Sequence, residues 1–147
     1  MADEETRIVI VDGSNVAHSS EGDKAALENI RLIREKLIEE GYEPVVLADA
    51  ALRHQIDDAR GYEGLVEDGT IKQAPAGTDA DYFILSFARE LGANIVSNDR
   101  FKDRVEAFPE VKKRVIRYMI VNREVVFERR THRRKQEKPG NGETGKR

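Results

Sequence analysis

Short apolar runs that alternate with helical patterns constrain the fold of this chain most. Four runs of strand-forming length are found at residues 8–11, 44–47, 71–73 and 94–97. Between them, apolar residues recur at three- and four-residue intervals, which is the pattern of an amphipathic helix. Strands that alternate with helices are typical of a mostly parallel sheet with helices on both faces. We therefore predict an α/β fold.

The helical segments are predicted from this periodicity and from residues that start and stop helices. Asp23 is a plausible N-cap for the first, Gly41 stops it, Thr78 or Asp79 can cap the third, and Gly92 ends it. Helices are expected at residues 24–40, 50–59, 79–91 and 101–108. A terminal strand pair is expected at residues 115–121 and 125–127, whereas residues 61–69 give no clear pattern and no order is expected from residue 131 onward.

The length of 147 residues suits one domain with a real core. Because the chain has no cysteine, disulfides, thiolate zinc sites and cysteine nucleophiles are excluded, and any metal must be held by oxygen or histidine. No apolar run approaches the roughly 20 residues of a membrane span, and the first residues do not resemble a signal peptide. We expect a soluble, cytoplasmic protein.

The net charge of −3 is unevenly distributed. Residues 129–147 contain eight Lys/Arg and two Asp/Glu, a charge of +6, which leaves −9 for residues 1–128. We predict a folded domain at residues 1–128 and a basic, disordered tail at residues 129–147. Clustered cations such as Arg133 and Arg134 add affinity for nucleic acid through counterion release. A solvated end without a function is the competing interpretation.

Acidic residues follow two of the predicted strands. Asp12 comes directly after the first strand, and Asp99 comes after the strand at residues 94–97. In an open α/β sheet, ligands bind outside the carboxyl ends of the strands, so both acids are expected at one edge. Asp103 lies four residues after Asp99, on the same side if a helix begins near Arg100. Grouped carboxylates repel one another unless a proton or cation intervenes, and Mg²⁺ or Mn²⁺ prefers such oxygen ligands.

Structural roles compete with a functional role for these acids. Asp79 and Asp81 stand at a predicted helix start, where the helix dipole stabilises an acid without any chemistry. A strand that ends in Asp-Gly, as at Asp12, also occurs in nucleotide-binding folds and phosphotransferases. His18 could act as a general base, but a lone histidine beside a turn is more often a surface residue. The case for a site depends on several acids at the ends of separate elements.

Four segments together resemble a known family. They read VIVDGSNVAHS, DADYFILSFARE, IVSNDRFKD and RYMIVNREVVF, and the resemblance spans about residues 7–127. These motifs are similar to those of the Regnase-type ribonuclease domains in the NYN/PIN-like superfamily. The resemblance implies a three-layer α/β/α PIN-like (Rossmannoid) domain with a mostly parallel central sheet. It also implies metal-dependent endonucleolytic cleavage of RNA, with Mg²⁺ or Mn²⁺ as the cofactor.

The resemblance carries site roles to individual residues. Family active-site positions are matched directly by Asp12, Asn15, Asp99 and Asp103, and Asp81 matches the last acid of the helical motif. The family has two adjacent acids there, whereas this chain has Ala80 before Asp81 and a further acid at Asp79. Asp79 is therefore ranked below Asp81 as a metal ligand. Since these 147 residues contain no cysteine, the family's zinc-finger companion is not expected among them.

The implied reaction is hydrolysis of single-stranded or loop RNA to 5′-phosphate and 3′-hydroxyl ends, with water as the nucleophile. Ser14 and Asn15 would orient the water or a phosphate oxygen. The cations Arg100, Lys102 and Arg104 are interleaved with Phe101 and could hold a single strand. Solvated charges are the competing interpretation of these cations.

Other functions are weighed against this one. A phosphatase or phosphotransferase usually needs a second acid-base Asp close to the nucleophilic Asp, whereas Asp12 is followed by Gly-Ser-Asn. A non-catalytic or weakly active RNA-binding module on the same fold is the stronger rival. A toxin-type nuclease controlled by a protein partner is the third, and an adjacent small gene would indicate it. A homodimer and a regulatory protein partner are left open.

Overall fold

The structure of the protein is a computed structural model that describes residues 7–20 and 24–128. The strands are β1 (Ile8–Asp12), β2 (Glu43–Ala48), β3 (Ile71–Gln73), β4 (Asn94–Val96), β5 (Val115–Ile116), β6 (Tyr118–Val121) and β7 (Glu124–Phe127). The α-helices are α1 (Gly13–Ala17), α2 (Leu27–Glu39), α3 (Ala59–Glu67), α4 (Ala80–Leu91) and α5 (Val111–Arg114). Short 3₁₀ helices cover Ala50–His54 and Lys102–Arg104. Within the described ranges, no helix is long and apolar enough to cross a membrane.

Five strands form the central sheet, in the order β3-β2-β1-β4-β5, and every pair is parallel. β6 and β7 form a separate antiparallel hairpin. Side chains of β1 alternate between the two faces. Val9 and Val11 pack in a core with α1, α2 and α3, and the hairpin covers part of this core. Ile10 packs in a second core with α4 and α5. The predicted three-layer α/β/α fold is therefore confirmed.

The strand order places a topological switch point beside β1. From β1 the chain proceeds through β2 to β3 on one side of the sheet, and it then crosses to β4 and β5 on the other side. In α/β folds, ligands bind outside the carboxyl ends of the strands at such a switch point, which here lies between β1 and β4. Residues directly after β1, β2 and β4 therefore lie at the edge of the sheet where α/β folds bind ligands.

The first long helix begins later than the sequence pattern predicts. The N-cap of α2 is Ala26, and Asp23 lies outside the described residues. Ala25 forms a parallel bridge with Ile56, and this bridge keeps Ala25 itself out of the helix. The carboxylate of Asp57 accepts a hydrogen bond from the Leu27 amide (3.0 Å), so a distant side chain caps this helix. The predicted stop is confirmed, because α2 ends at Glu39 and Gly41 has φ +92°.

The helix predicted at residues 50–59 is wrong in extent. Only Ala50–His54 is helical, as a 3₁₀ helix, and α3 starts afresh at Ala59. The new start has its own cap, since the Asp58 carboxylate accepts a hydrogen bond from the Gly61 amide (2.9 Å). α3 then covers most of the segment that gave no clear sequence pattern.

The helix predicted at residues 101–108 is also wrong. Phe101 has φ +53°, a left-handed conformation that interrupts any helix. Its amide donates a hydrogen bond to the Asp99 carboxylate (2.8 Å), and the residue is 2% exposed and packs in the second core. The local hydrogen bond and the buried ring together stabilise a tight turn, so only Lys102–Arg104 forms a 3₁₀ turn. Asp99 and Asp103 therefore do not lie on one helix.

The predicted terminal strand pair is confirmed as β6 and β7, but residues 115–121 do not form one strand. The extended segment is interrupted at Arg117, so that β5 joins the central sheet and β6 joins the hairpin. The short helix α5 before β5 was not predicted. The boundary between a domain and a tail after residue 128 stays a prediction, because residues 129–147 lie outside the described ranges.

Gly13, the first residue of α1, allows a close approach of this helix to β2. A Cβ atom there would lie 2.9 Å from the Leu47 carbonyl oxygen and 3.0 Å from Val46 Cγ1. We expect Gly13→Ala to lower the free energy of unfolding by about 1–3 kcal/mol, because backbone must move. Gly64→Ala is the matched control, since nothing lies within 4 Å of its Cβ position in α3. That control should be neutral or stabilising by up to about 1 kcal/mol in urea denaturation; equal effects of both changes would refute the steric argument.

Candidate active site

The carboxylate of Asp12 forms the centre of the candidate site. Asp12 ends β1 and is 6% exposed. The Ser97 hydroxyl donates a hydrogen bond to its Oδ2 (2.8 Å), and the Asn15 amide lies 3.4 Å from its Oδ1 as the cap of α1. The Asp99 amide in turn donates to Ser97 Oγ (3.0 Å). The ends of β1 and β4 are therefore joined through Ser97, at the switch point.

The environment of Asp12 disfavours a negative charge. Burial raises the pKa of its carboxyl to about 6, against the lowering effects of the hydrogen bonds from Ser97 and Asn15. The carboxylates of Asp81 and Asp99 raise it further by repulsion. Acids from β1, α4 and the turn after β4 therefore influence one another, as expected from the sequence positions of these residues.

The side chain of Asn15 has a fixed orientation. Its Oδ1 accepts hydrogen bonds from the Asn98 amide (3.0 Å) and from the Tyr118 hydroxyl (2.9 Å). Burial raises the pKa of Tyr118 to about 12, so the phenol keeps the proton that it donates. With Oδ1 occupied, the Nδ2 group of Asn15 is the end that can donate to a substrate. Ser14 Oγ accepts from the Asp49 amide (3.1 Å), and so it also holds the end of β2.

Asn98 and Tyr118 are structural members of the site that sequence reasoning missed. The side chain of Asn98 accepts from the Tyr118 amide (3.0 Å) and donates to the Tyr118 carbonyl (3.0 Å). These two bonds attach the hairpin to the turn after β4. Asn98 belongs to the recognised SNDRFKD motif, whereas nothing in the sequence indicated that Tyr118 would reach Asn15.

Asp79 and Asp81 have different surroundings at the start of α4. Asp79 is the N-cap, with its Oδ1 3.3 Å from the Tyr82 amide, as predicted for a cap. Arg104 Nη2 lies 2.9 Å from Oδ1 and 2.8 Å from Oδ2 of Asp79. Arg104 Nε lies farther from Asp81, at 3.9 Å from Oδ2. Burial raises the pKa of Asp81, Asp99 raises it further, and Arg104 lowers it.

Asp49 is an acid near the site that was also missed. It directly follows β2, and its charge contributes to the raised pKa of Asp81. Its Oδ1 accepts from the Leu52 amide (2.9 Å), which caps the 3₁₀ helix Ala50–His54. The signal was present in the sequence, because Asp49 follows an apolar strand just as Asp12 does.

The remaining predicted residues lie around the exposed turn after β4 or outside the described part. Asp99 is exposed, with its Oδ1 accepting from Phe101, and Asp103 is exposed in the 3₁₀ turn. Arg100 and Lys102 are exposed on the same turn. Their roles stay predictions, as does that of Asp103. The predicted RNA contacts Arg133 and Arg134 lie outside the described residues.

The donors of this site fit a hard divalent cation in type and charge. They are carboxylate oxygens, and repulsion among Asp12, Asp81 and Asp99 would be relieved by a cation. Among residues 7–20 and 24–128, no three His, Cys, Asp or Glu side chains are close enough to hold a metal ion as they stand. Side-chain rotation would be required to bring the carboxylates together.

A profile of the Zc3h12a-like ribonuclease NYN domain matches residues 5–139, which is most of the chain. The chain belongs to this NYN ribonuclease family. The resemblance to Regnase-type NYN/PIN-like domains is thereby confirmed. The match to the NYN family extends beyond residue 128, where the sequence predicts the end of the domain. A search of curated proteins found no match.

Two solved structures of the nuclear proteinaceous RNase P 2 (PRORP2) from A. thaliana are similar to this chain. One has a TM-score of 0.69 and 22% identity, covering 82% of this chain and 29% of that chain. The other has a TM-score of 0.67 and 21% identity, covering 86% of this chain and 30% of that chain. These similarities show a shared fold. The present chain corresponds to less than a third of the length of these proteins.

Proposed function

We propose that the protein is a metal-dependent endoribonuclease that hydrolyses single-stranded or loop RNA to 5′-phosphate and 3′-hydroxyl ends. The observation that carries the proposal is the position of the buried Asp12 carboxylate at the switch point, where the negative charges of Asp81 and Asp99 raise its pKa. Membership of a ribonuclease family supports RNA as the substrate.

The carboxylates of Asp12, Asp81, Asp99 and Asp103 would hold Mg²⁺ or Mn²⁺. Such an ion lowers the pKa of a bound water and neutralises charge on the phosphate. Asp79 ranks below Asp81 as a ligand, because its carboxylate caps α4 and contacts Arg104.

The other side chains bind and orient the RNA. The Nδ2 group of Asn15 donates to a phosphate oxygen, with its direction set by Tyr118 and Asn98 on Oδ1. The hydroxyl of Ser14 accepts from Asp49 and still has its own proton to donate. Cations on the exposed turn and in the basic tail contact the RNA backbone, independently of its sequence. They are Arg100, Lys102, Arg133 and Arg134.

A non-catalytic RNA-binding module is the second candidate. It is favoured by the guanidinium of Arg104, which already neutralises part of the acidic cluster at Asp79. It is also favoured by the absence, in the described ranges, of three carboxylates close enough to hold a metal. Such a module would bind RNA with or without a divalent cation and would leave it intact.

Metal removal is the direct test of the catalytic proposal. We expect cleavage of end-labelled single-stranded RNA in Mn²⁺, its loss with excess EDTA and its return when Mn²⁺ is added back. The products should carry a 5′-phosphate, detected by a change in mobility after phosphatase treatment. The physical reason is that a divalent cation held by these carboxylates would lower the pKa of a bound water beside the phosphate.

The product ends also identify a contaminant. A metal-independent ribonuclease that uses the ribose 2′-hydroxyl leaves 2′,3′-cyclic phosphates and persists in EDTA. Cleavage of that kind would contradict the proposed mechanism. Binding of intact RNA without cleavage in either Mg²⁺ or Mn²⁺ would support the binding module instead.

A further inference from the structure

Arg104 places a positive charge beside two acids at the start of α4, Asp79 and Asp81. Its Nη2 contacts both carboxylate oxygens of Asp79, at 2.8 and 2.9 Å, and its Nε lies 3.9 Å from Asp81 Oδ2. The Arg104 side chain is 33% exposed, so the pair is partly shielded from solvent. This guanidinium therefore lies beside Asp81, one of the proposed metal ligands.

The backbone around Arg104 fixes where its side chain starts. The Arg104 amide donates to the Phe101 carbonyl (2.9 Å), and the Phe108 amide donates to the Arg104 carbonyl (2.8 Å). Phe101 itself is anchored in the core. The Arg104 side chain thus extends toward the start of α4 from a turn that is fixed by backbone hydrogen bonds. Only the side-chain torsions of Arg104 need to change for its guanidinium to leave Asp79.

A phosphate can replace the carboxylate as partner of this guanidinium. Arginine binds carboxylate and phosphate oxygens with the same planar donors. A fixed positive charge a few ångströms from Asp81 repels a divalent cation bound there. If an RNA phosphate takes over Arg104, that repulsion is offset, and Asp79 also becomes a free negative charge near the ion.

We infer that Arg104 is an exchangeable counter-ion: in the RNA-free protein it pairs with Asp79 and weakens divalent-cation binding at Asp81, and on substrate binding it moves to an RNA phosphate. The inference rests on the proposed function and concerns regulation of the same site. Metal and RNA consequently bind with positive coupling. Arg104 acts as a positioning residue for the cation and as a contact for the substrate.

The test measures Mn²⁺ binding to the RNA-free protein by isothermal titration calorimetry. We expect Arg104→Ala to bind Mn²⁺ about fivefold to tenfold more tightly than the wild type, since a repelling charge is removed. Arg104→Lys retains the charge and should stay within about twofold of the wild type. Arg53→Ala is the matched control, because it removes another partly exposed arginine paired with Glu63, and neither partner is a proposed ligand.

A second readout follows the RNA. At saturating Mn²⁺, Arg104→Ala should raise KM for RNA by about tenfold and change kcat less, because the lost group contacts a phosphate. Circular dichroism verifies that each variant is folded before titration.

The inference is overturned if Arg104→Ala binds Mn²⁺ with unchanged or weaker affinity, or if Arg104→Lys tightens binding as much as Arg104→Ala. Either result in a wild-type protein that binds Mn²⁺ and cleaves RNA leaves the proposed function intact. A wild type that neither binds Mn²⁺ nor cleaves RNA contradicts the proposed function itself.

Discussion

Asp12→Asn should reduce the rate of RNA cleavage by roughly 10²–10³-fold in saturating Mn²⁺. The substitution retains the size of the side chain and one acceptor oxygen, so that Ser97 can still donate to it. It removes the buried negative charge at the switch point, which Asp81 repels and which the proposed cation would neutralise. The loss should therefore appear without any unfolding. Single-turnover cleavage of labelled RNA measures it directly.

Asp68→Asn is the matched control for this experiment. Asp68 follows α3 and precedes β3, so it lies toward the amino ends of the strands, opposite the site. Its carboxylate accepts a hydrogen bond from the Thr70 amide (2.9 Å), which an asparagine oxygen can also accept. Cleavage by this variant should stay within about twofold of the wild type. Comparable activity of Asp12→Asn and Asp68→Asn would contradict the carboxylate mechanism.

Asp12 should also make the metal-free protein less stable as the pH rises. The pKa of Asp12 is about 6 in the folded protein, against an ordinary value of 3.8. The folded state therefore holds this proton more tightly than the unfolded state does, and stability falls as the pH rises from about 4 to about 6. At pH values above about 6, the free energy of unfolding is lowered by the full effect of about 3 kcal/mol. At pH values below about 4, this loss is absent.

The difference between wild type and Asp12→Asn isolates this contribution from other titrating groups. In EDTA, urea denaturation should show that the free energy of unfolding of the variant, relative to that of the wild type, increases by about 2–3 kcal/mol from pH 4 to pH 7.5. Mn²⁺ at pH 7.5 should restore stability to the wild type more than to the variant. Parallel pH profiles of the two proteins would show that Asp12 titrates at its ordinary pKa.

Much of the fold followed from the sequence because the strands are short and buried on both faces. Such runs predict a parallel sheet even where the boundaries of the intervening helices are wrong. The positions of Asp12 and Asp99 at the carboxyl edge of the sheet follow from these runs. Asp79 was correctly predicted as a cap, because side chains that cap helices act over three residues.

The errors came from interactions that are not local in sequence. Phe101 was placed in a helix, but its ring is buried in the second core and its amide bonds Asp99. The start of α2 depends on Asp57, 30 residues away from the amide that it caps. Tyr118 reaches Asn15 from a hairpin that is separate from the sheet. Periodicity detects none of these contacts, since each depends on the tertiary arrangement.

The hydrogen bonds that orient the site connect distant parts of the chain. Ser97 is 85 residues from Asp12, and Tyr118 is 103 residues from Asn15. Contacts of such high sequence separation form only after intervening loops have closed, which makes them slow to assemble. A nascent chain that has not yet emerged past Tyr118 lacks the donor that orients Asn15. In the proposed nuclease, the side-chain amide of Asn15 would therefore be oriented only after the hairpin has been synthesised and has folded.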